Sequence, residues 1–298
     1  MIEFYTGLSQ TLFGVRRCGD GIPVLGIPME DTLSFRPGTR FATSVIRQWS
    51  QYFEFTPTRD LGVDVLSRVC DMGDVSLLQG LPERNISRIE RVVSEAVGRW
   101  GRLVNIGGEH TVSLGVALGL RDSLGYGAYI HIDAHLDSRS EWPLGQSLSH
   151  ATFVRRLIKD VKPELILYLG FRSYDNEELD FINELGNAVA LPGSAIKSLG
   201  NYEARALIRD FMSTVGGPIH VSIDLDVLDP SIMPGVGNPE GNGLTYNELL
   251  RVLEPVLELG GSRVGAVDIV EYSPPNDPNL TSLPTVIKLI IDVLNYLR

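Results

Sequence analysis

Short apolar runs alternate with amphipathic stretches along almost the whole chain of 298 residues, and this alternation constrains the fold more than any other feature. The apolar runs have the length and the valine and isoleucine content of buried strands. The amphipathic stretches show helical spacing, as residues 85–100 do through Ile86, Ile89, Val93 and Val97. Strand–helix alternation favours a mainly parallel sheet with helices on both faces. The sequence therefore predicts an α/β fold.

The same pattern predicts where the elements lie. Strands are expected at 23–27, 102–106, 128–133, 165–170, 218–224 and 263–269. Helices are expected at 40–52, 83–98, 149–160, 176–185, 202–214, 246–259 and 282–297. No linker, low-complexity tract or internal repeat interrupts the pattern, so residues 1–298 are predicted to form a single domain. In such folds ligands bind beyond the carboxyl ends of the strands.

The composition excludes several classes of function. The net charge is −11 and no block of Lys and Arg occurs, so nucleic acid and anionic membranes are poor partners. Residues 1–10 lack the basic start and apolar core of a signal peptide, and no uncharged run reaches the roughly 18 residues of a membrane helix. Cys18 and Cys70 form no metal-binding pattern, so we interpret them as separate reduced thiols of a cytoplasmic protein.

Three potential metal ligands follow the apolar run 128–132. Asp133 and His135 share one face if the strand continues, and Asp137 can join them. Imidazole and carboxylate together suit divalent metals such as manganese, iron or zinc. A solvated turn is the simpler alternative, but uncompensated carboxylates at a buried strand end are costly. The segment therefore favours a metal site.

A second apolar run also ends in acidic residues. Asp224 and Asp226 have the same parity and can point the same way, whereas Asp229 precedes a proline and is typical of a turn. With Asp133 and Asp137, the first two carry four negative charges, which two divalent cations balance. A pair of metals can also lower the pKa of a shared water. The charge count therefore favours two metals over one.

Several other residues indicate little when taken singly. His110 and His150 lie near predicted helix starts, where a histidine is more often a cap or a surface residue; His110 can also complete a metal site, and His150 can relay protons. Glu271 follows another apolar run and can bind a planar cation through paired hydrogen bonds, although a salt bridge at the sheet edge fits equally well. His131 and His220 lie within strands and are interpreted as buried, hydrogen-bonded side chains.

Together these motifs resemble the ureohydrolase family, which includes arginase, agmatinase and formiminoglutamase. The matching segments are GGEH at 107–110, DAHLD at 133–137, SHAT at 149–152, SIDLDVLDP at 222–230 and DIVEYSPP at 268–275. They occur in the family's order, and residues 26–47 also resemble the family's first strand, glycine-arginine loop and helix.

The resemblance implies a three-layer α/β/α, arginase-like fold and a hydrolase with two Mn²⁺ ions, although other divalent metals suit the same ligands. It implies a homo-oligomer, trimeric or hexameric. The ligand set that it implies is His110 and Asp137 for one metal, His135 and Asp226 for the other, and Asp133 and Asp224 as bridges. The catalytic roles that it implies are guanidinium binding by Glu271 and proton shuttling by His150, and Asp137 would pass a proton to the leaving amine.

The substrate depends on finer details of the resemblance. The segments DAHLDSRSEW and SLSHATFVRR most resemble agmatinases, which implies a small cationic guanidino substrate, agmatine, and the products putrescine and urea. Two departures concern this preference. Glu109 stands where the family often has aspartate, and the loop 234–243 has Val236 and Asn238 where relatives usually have threonines. The alternatives are arginine, guanidinobutyrate, guanidine or formiminoglutamate as substrate, or a non-catalytic metal-binding relative.

Overall fold

The computed structural model describes residues 6–7, 10–15, 18–19, 21–59 and 64–297, and every structural statement below concerns these residues. The expectation that residues 1–10 form no signal peptide falls largely outside them. Among the described helices, none combines the length and the apolar character needed to cross a bilayer.

One nine-stranded sheet forms the centre of the described structure. Its strands are β1 (Thr6–Gly7), β2 (Ile22–Gly26), β3 (Val69–Val75), β4 (Leu103–Ile106), β5 (Ala128–Ile132), β6 (Leu165–Leu169), β7 (Ala188–Leu191), β8 (Ile219–Asp224) and β9 (Val264–Val270). Their spatial order is β1-β3-β2-β4-β9-β8-β5-β6-β7. All neighbours pair in parallel except β1, which lies antiparallel to β3 at one edge.

Nine α-helices surround this sheet in the described part of the chain. They are α1 (Ala42–Ser50), α2 (Pro82–Trp100), α3 (Val112–Leu124), α4 (Phe153–Val161), α5 (Asn176–Glu184), α6 (Gly193–Ser198), α7 (Asn201–Thr214), α8 (Tyr246–Gly260) and α9 (Leu283–Tyr296). A capping box begins α8, because the Thr245 side chain accepts from the Glu248 N–H and the Glu248 carboxylate accepts from the Thr245 N–H.

The sheet separates two hydrophobic cores, because successive strand side chains point to opposite faces. On β5, Ile130 and Ile132 enter one core, whereas Tyr129 enters the other. The first core is completed by α1 and α6–α9, and the second by α2–α5. The predicted mainly parallel sheet with helices on both faces is therefore confirmed.

The interpretation of Cys18 and Cys70 as separate thiols is wrong. Their sulfurs form a disulfide bond, and their Cα atoms lie 4.7 Å apart although 52 positions separate them in sequence. Cys70 lies in β3, which pairs with β2, and Cys18 precedes β2 in the chain. Parallel pairing thus brings the two cysteines together, and reduced thiols no longer support a cytoplasmic location.

Candidate metal centre and cleft

The acidic and histidine residues predicted from the motifs meet at one edge of the sheet. Strands β4, β9, β8 and β5 are neighbours and run in the same direction, so their carboxyl ends lie side by side. His110 follows β4 and Glu271 follows β9, whereas Asp224 and Asp226 lie at the end of β8. Asp133, His135 and Asp137 follow β5. The topology therefore assembles residues that are up to 161 positions apart.

The first half of the cluster surrounds the His110 ring. His110 Nδ1 lies 2.9 Å from Asp133 Oδ2, 3.0 Å from Asp137 Oδ2 and 3.2 Å from Asp224 Oδ2. All four side chains are buried. His110 Nδ1 and Asp133 Oδ2 make no hydrogen bond within the described residues, and three carboxylate oxygens converge on one ring nitrogen. Such unpaired buried polar atoms are costly unless a cation lies between them.

The second half surrounds the His135 ring. His135 Nδ1 lies 3.0 Å from Asp226 Oδ2 and 3.4 Å from Asp133 Oδ1. Asp133 thus presents one carboxylate oxygen to each half of the cluster. The ligand atoms of His110, His131, Asp133 and Asp137 lie close enough to one another to hold a metal ion, as do those of Asp133, His135 and Asp226, so Asp133 belongs to both groups. The geometry therefore suits two neighbouring cations that share a carboxylate.

The electrostatics of the cluster also require positive charge. Burial, and next the charge of Asp133, raise the pKa of Asp137 to about 8. Burial and the neighbouring carboxylates Asp226 and Asp133 raise the pKa of Asp224 well above its ordinary value. Without cations, the protein therefore keeps protons on carboxyl groups that are normally ionised. Two divalent cations would allow these groups to ionise together.

His131 lies in the same region, within β5. Its Nε2 atom is 3.3 Å from Asp133 Oδ2 and makes no hydrogen bond in the described structure, while its Nδ1 atom is 3.2 Å from the Tyr129 hydroxyl. Burial lowers the pKa of His131 to about 3, so the ring is neutral. His131 therefore contacts the cluster from below through Asp133. His131 lies within β5, whereas Asp133, His135 and Asp137 follow the end of this strand.

Two residues of the site adopt left-handed backbone conformations. Asp137 has φ 47° and Glu271 has φ 67°. This conformation is unfavourable for a glutamate, and the surrounding contacts must stabilise it. The Glu271 N–H donates to Gly108 O at 2.9 Å, and Glu271 Oε1 accepts from the His110 N–H at 2.7 Å. These bonds hold the Glu271 carboxylate beside the His110 half of the cluster.

A buried hydrogen-bond chain orients His110 from behind. His110 Nε2 bonds the Ser222 hydroxyl at 2.7 Å, and Ser222 Oγ lies 2.9 Å from Ser113 Oγ. Ser113 donates to Asp268 at 2.6 Å, and His220 Nε2 lies 2.7 Å from the same carboxylate. Since Nε2 is occupied by Ser222, only Nδ1 of His110 is available to a metal. The prediction that His220 is a buried, hydrogen-bonded residue is confirmed.

His150 lies at the edge of the cluster, in contact with the loop after β2, in which no side chain was predicted to reach the site. Its Nε2 atom is 2.8 Å from Ser34 Oγ, and its N–H donates to Thr32 Oγ1 at 3.1 Å. Thr32 in turn donates from its N–H and its hydroxyl to the Glu109 carboxylate, at 2.9 and 2.8 Å. Burial raises the pKa of Glu109 to about 7. Glu109 therefore contacts no metal ligand atom in this network, but fixes the loop that holds His150.

The cluster opens into a cleft of about 420 Å³. Asp224, Asp226 and Glu271 line its buried part, where each side chain is almost inaccessible. The exposed Trp142 and the partly exposed Glu240 also line the cleft. Glu240 and Ser34 were missed from the sequence, because both lie in loops far from the strand-end motifs. The only sequence signal for Glu240 was the unusual loop 234–243 that contains it.

Comparison with known proteins agrees with this arrangement. A sequence model described as the arginase family matches residues 20–294. The chain belongs to the arginase family. An agmatinase of Halalkalibacterium halodurans is 32% identical over 258 residues, which are 86% of this chain and 85% of that protein. An N(1)-aminopropylagmatine ureohydrolase of Thermococcus kodakarensis is 30% identical, over 84% of this chain and 82% of that protein.

Solved structures show the same fold. The structure of the proclavaminate amidino hydrolase of Streptomyces clavuligerus has a TM-score of 0.86 and is 23% identical, covering 98% of this chain and 97% of that one. The predicted three-layer arginase-like fold and the predicted family are therefore confirmed. This arginase-family chain is a ureohydrolase, and the His and Asp clusters at its strand ends match the binuclear metal dependence of the family.

Proposed function

We propose that this ureohydrolase converts agmatine and water to putrescine and urea with two Mn²⁺ ions. The observation that carries the proposal is the position of Asp133, which offers one carboxylate oxygen to each of two histidine-containing ligand groups at the floor of a carboxylate-lined cleft. Oxygen-rich ligation favours manganese over zinc. A buried anionic centre also suits a substrate with two positive charges.

The ligand assignment follows the two halves of the cluster. We assign His110 and Asp137 to one metal and His135 and Asp226 to the other, with Asp133 and Asp224 as bridges. The unpaired Nδ1 atom of His110 supports this assignment, because three carboxylate oxygens lie within 3.2 Å of it. When bound, two divalent cations supply a hydroxide nucleophile at neutral pH by lowering the pKa of water.

Two residues of the chain, Glu271 and Asp137, would act on the substrate itself. Glu271 has one carboxylate oxygen bonded to the His110 N–H, and its other oxygen is available to accept from the guanidinium group. Attack at the guanidinium carbon breaks the bond to the substituted nitrogen, which must gain a proton to leave as an amine. Asp137, ionised beside the metals, would accept the proton that the nucleophile releases after attack and pass it to the leaving nitrogen.

His150 would return protons between the cleft and solvent. Burial lowers the pKa of His150 to about 4, so its ring is neutral at pH 7 and can accept a proton. Its side chain lines the cleft, and Ser34 holds Nε2 in place. This position matches a shuttle better than a ligand, because none of the described carboxylates forms an ion pair with the His150 ring.

The relatives support the choice of a guanidino-amine substrate. One is named agmatinase and another N(1)-aminopropylagmatine ureohydrolase, and both names describe a guanidino group joined to an amine. The family resemblance also supports a homo-oligomer, trimeric or hexameric, which light scattering with size-exclusion chromatography would test.

The decisive experiment is a substrate panel. Urea release would be measured with manganese-loaded protein and a chelated control, using agmatine, N(1)-aminopropylagmatine, arginine, guanidinobutyrate and guanidine. We expect metal-dependent urea release from agmatine above all others. Preference for another compound would retain the reaction but reject the substrate. Two bound metals with no urea from any compound would reject the proposed activity in favour of a non-catalytic metal-binding protein.

A further inference from the structure

Glu240 is an acidic residue of the cleft whose carboxylate forms no ion pair with a lysine or arginine among the described residues. Its Oε1 atom lies 3.6 Å from His135 Nε2, and its side chain is 39% exposed. Within the described residues, the His135 ring is its only ion-pair partner. In a metal-loaded centre that uses His135 Nδ1, this ring is neutral and donates only a hydrogen bond. Glu240 then keeps a full negative charge facing the cleft.

The backbone of Glu240 is fixed relative to the metal centre by Arg172. The guanidinium of Arg172 donates to Glu240 O at 2.8 Å and to Gly241 O at 3.0 Å. It also donates to Asp226 O at 2.8 Å and to Val227 O at 3.2 Å. The planar guanidinium of Arg172 therefore joins the loop 234–243 to the segment that carries the candidate ligand Asp226. The Glu240 side chain consequently projects from a rigid point beside the centre.

The arginine that lines the cleft is not free to bind a carboxylate substrate. Arg139 lines the cleft, but its guanidinium pairs with Asp175 at 2.7 Å and lies 3.7 Å from Glu178. It also lies 4.6 Å from the centre of the Trp142 ring. Two carboxylates and an aromatic face thus already satisfy this cation. No unpaired arginine or lysine among the described residues that line the cleft therefore neutralises Glu240.

We propose that Glu240 determines substrate specificity, by binding the ammonium group at the far end of a guanidino-amine while Glu271 and the metal centre hold the guanidinium end. This inference rests on the proposed ureohydrolase function and names the class of substrate for the same site. An ammonium group donates a charge-assisted hydrogen bond to the Glu240 carboxylate. A substrate that ends in a carboxylate meets repulsion there and finds Arg139 already paired.

The test compares Glu240→Gln with Glu141→Gln. Glu141 is an exposed glutamate on the loop beside Trp142 and does not line the cleft, so its substitution removes the same charge without removing the contact. We expect Glu240→Gln to raise KM for agmatine by about tenfold to a hundredfold and to change kcat by less than about threefold. Glu141→Gln should change both by less than about twofold. In Glu240→Lys, the ratio of guanidinobutyrate to agmatine hydrolysis should rise.

Two further measurements, of metal content and of putrescine binding, make the result decisive. Metal content should stay at the wild-type value in Glu240→Gln; a loss of metal with an unchanged KM would show that Glu240 only orients His135, and would overturn the proposal. Equal effects of Glu240→Gln and Glu141→Gln would also overturn it. Putrescine binding by calorimetry needs no turnover and should weaken by about tenfold or more in Glu240→Gln only. If the wild type released no urea, the proposed function would fail, and this binding measurement would still decide the role of Glu240.

Discussion

Asp133 occupies the central position among the candidate ligands, because its two carboxylate oxygens face different imidazole rings. One oxygen lies 2.9 Å from His110 Nδ1 and the other lies 3.4 Å from His135 Nδ1. The remaining carboxylates differ in this respect, since Asp137 approaches only the His110 ring and Asp226 only the His135 ring. Single substitutions should therefore separate a shared ligand from one that serves a single metal.

We expect Asp133→Asn to lose both metals and Asp137→Asn to lose only one. The amide keeps the shape of the side chain but removes the charge that both cations use. Metal content after gel filtration, measured by elemental mass spectrometry, should fall below one ion per chain in Asp133→Asn and to about one in Asp137→Asn. Two tightly held ions in Asp133→Asn would contradict the assignment.

The contact between Thr32 and His150 makes a second residue-scale prediction. Thr32→Val removes the hydroxyl that accepts the His150 N–H and donates to Glu109, while keeping the side-chain shape. We expect kcat to fall by about tenfold, because a displaced proton shuttle loses part of its contribution. Metal content should not change. Thr214→Val, at the exposed end of α7, is the matched control and should leave kcat at the wild-type value.

At the scale of elements, the sequence predicts the strands whose apolar runs are uninterrupted, and it also predicts the candidate ligands that follow those strands. All six predicted strands are confirmed to within about two residues at each end. The site residues after β5, β8 and β9 could be predicted for the same reason, because carboxyl ends of parallel strands share one edge. Side chains that reach the site from loops, such as Ser34 and Glu240, leave no such periodic signal.

Elements with an atypical pattern could not be predicted. β3 contains Asp71 and Asp74, which interrupt its apolar run; both are paired with Arg47 from α1, a contact that only the fold creates. α3 is buried over most of its length, so its residues lack the polar face that identifies an amphipathic helix. The exposed edge strand β7 alternates too weakly to be recognised. Tertiary contacts, rather than local preference, define these elements.

The strands β8 and β9 also supply the hydrogen-bond chain behind His110, which makes a prediction at this scale. Ser222→Ala removes the hydroxyl that bonds His110 Nε2 at 2.7 Å. We expect metal affinity to fall by about tenfold to a hundredfold, because an unanchored imidazole must be ordered when the metal binds. Competition with a fluorescent chelator would measure this. Ser213→Ala on α7 is the control, and equal affinities of the two variants would exclude the orienting role.

At the scale of the whole molecule, a single sheet connects every described region, and we propose that residues 1–298 form one domain around it. The two cores on either side of the sheet leave the carboxyl edge as the place where uncompensated charge accumulates. The clustered carboxylates lower the stability of the metal-free protein, because the same groups that attract cations repel one another without them. Metal removal should therefore destabilise the entire fold in a manner that depends on pH.

The direction of this dependence follows from the pKa shifts. Burial raises the pKa of Asp137 to about 8, and the pKa values of Asp224 and Glu271 are also raised by burial. An acidic group with a raised pKa binds more protons in the folded than in the unfolded protein, so stability falls as the pH rises through the folded pKa. Burial opposes the protonated form of His110, but the nearby carboxylates of Asp133, Asp137 and Asp224 raise its pKa, and this shift acts in the same direction. Burial lowers the pKa of His150 to about 4, so this histidine changes stability only between about pH 4 and pH 6.5. It therefore does not oppose the loss of stability at higher pH.

We therefore expect the metal-free protein to lose thermal stability between pH 7.0 and 8.5, with Tm falling by more than about 3 °C. The metal-loaded protein should lose less, because the cations hold these carboxylates ionised throughout, so the difference in Tm between the two forms should widen as the pH rises. Metal-free Asp137→Asn removes the group with a pKa of about 8 and should show a flatter profile than the metal-free wild type. Parallel profiles of the loaded and metal-free proteins would show that the cluster holds no excess charge, and would remove the electrostatic argument for two cations.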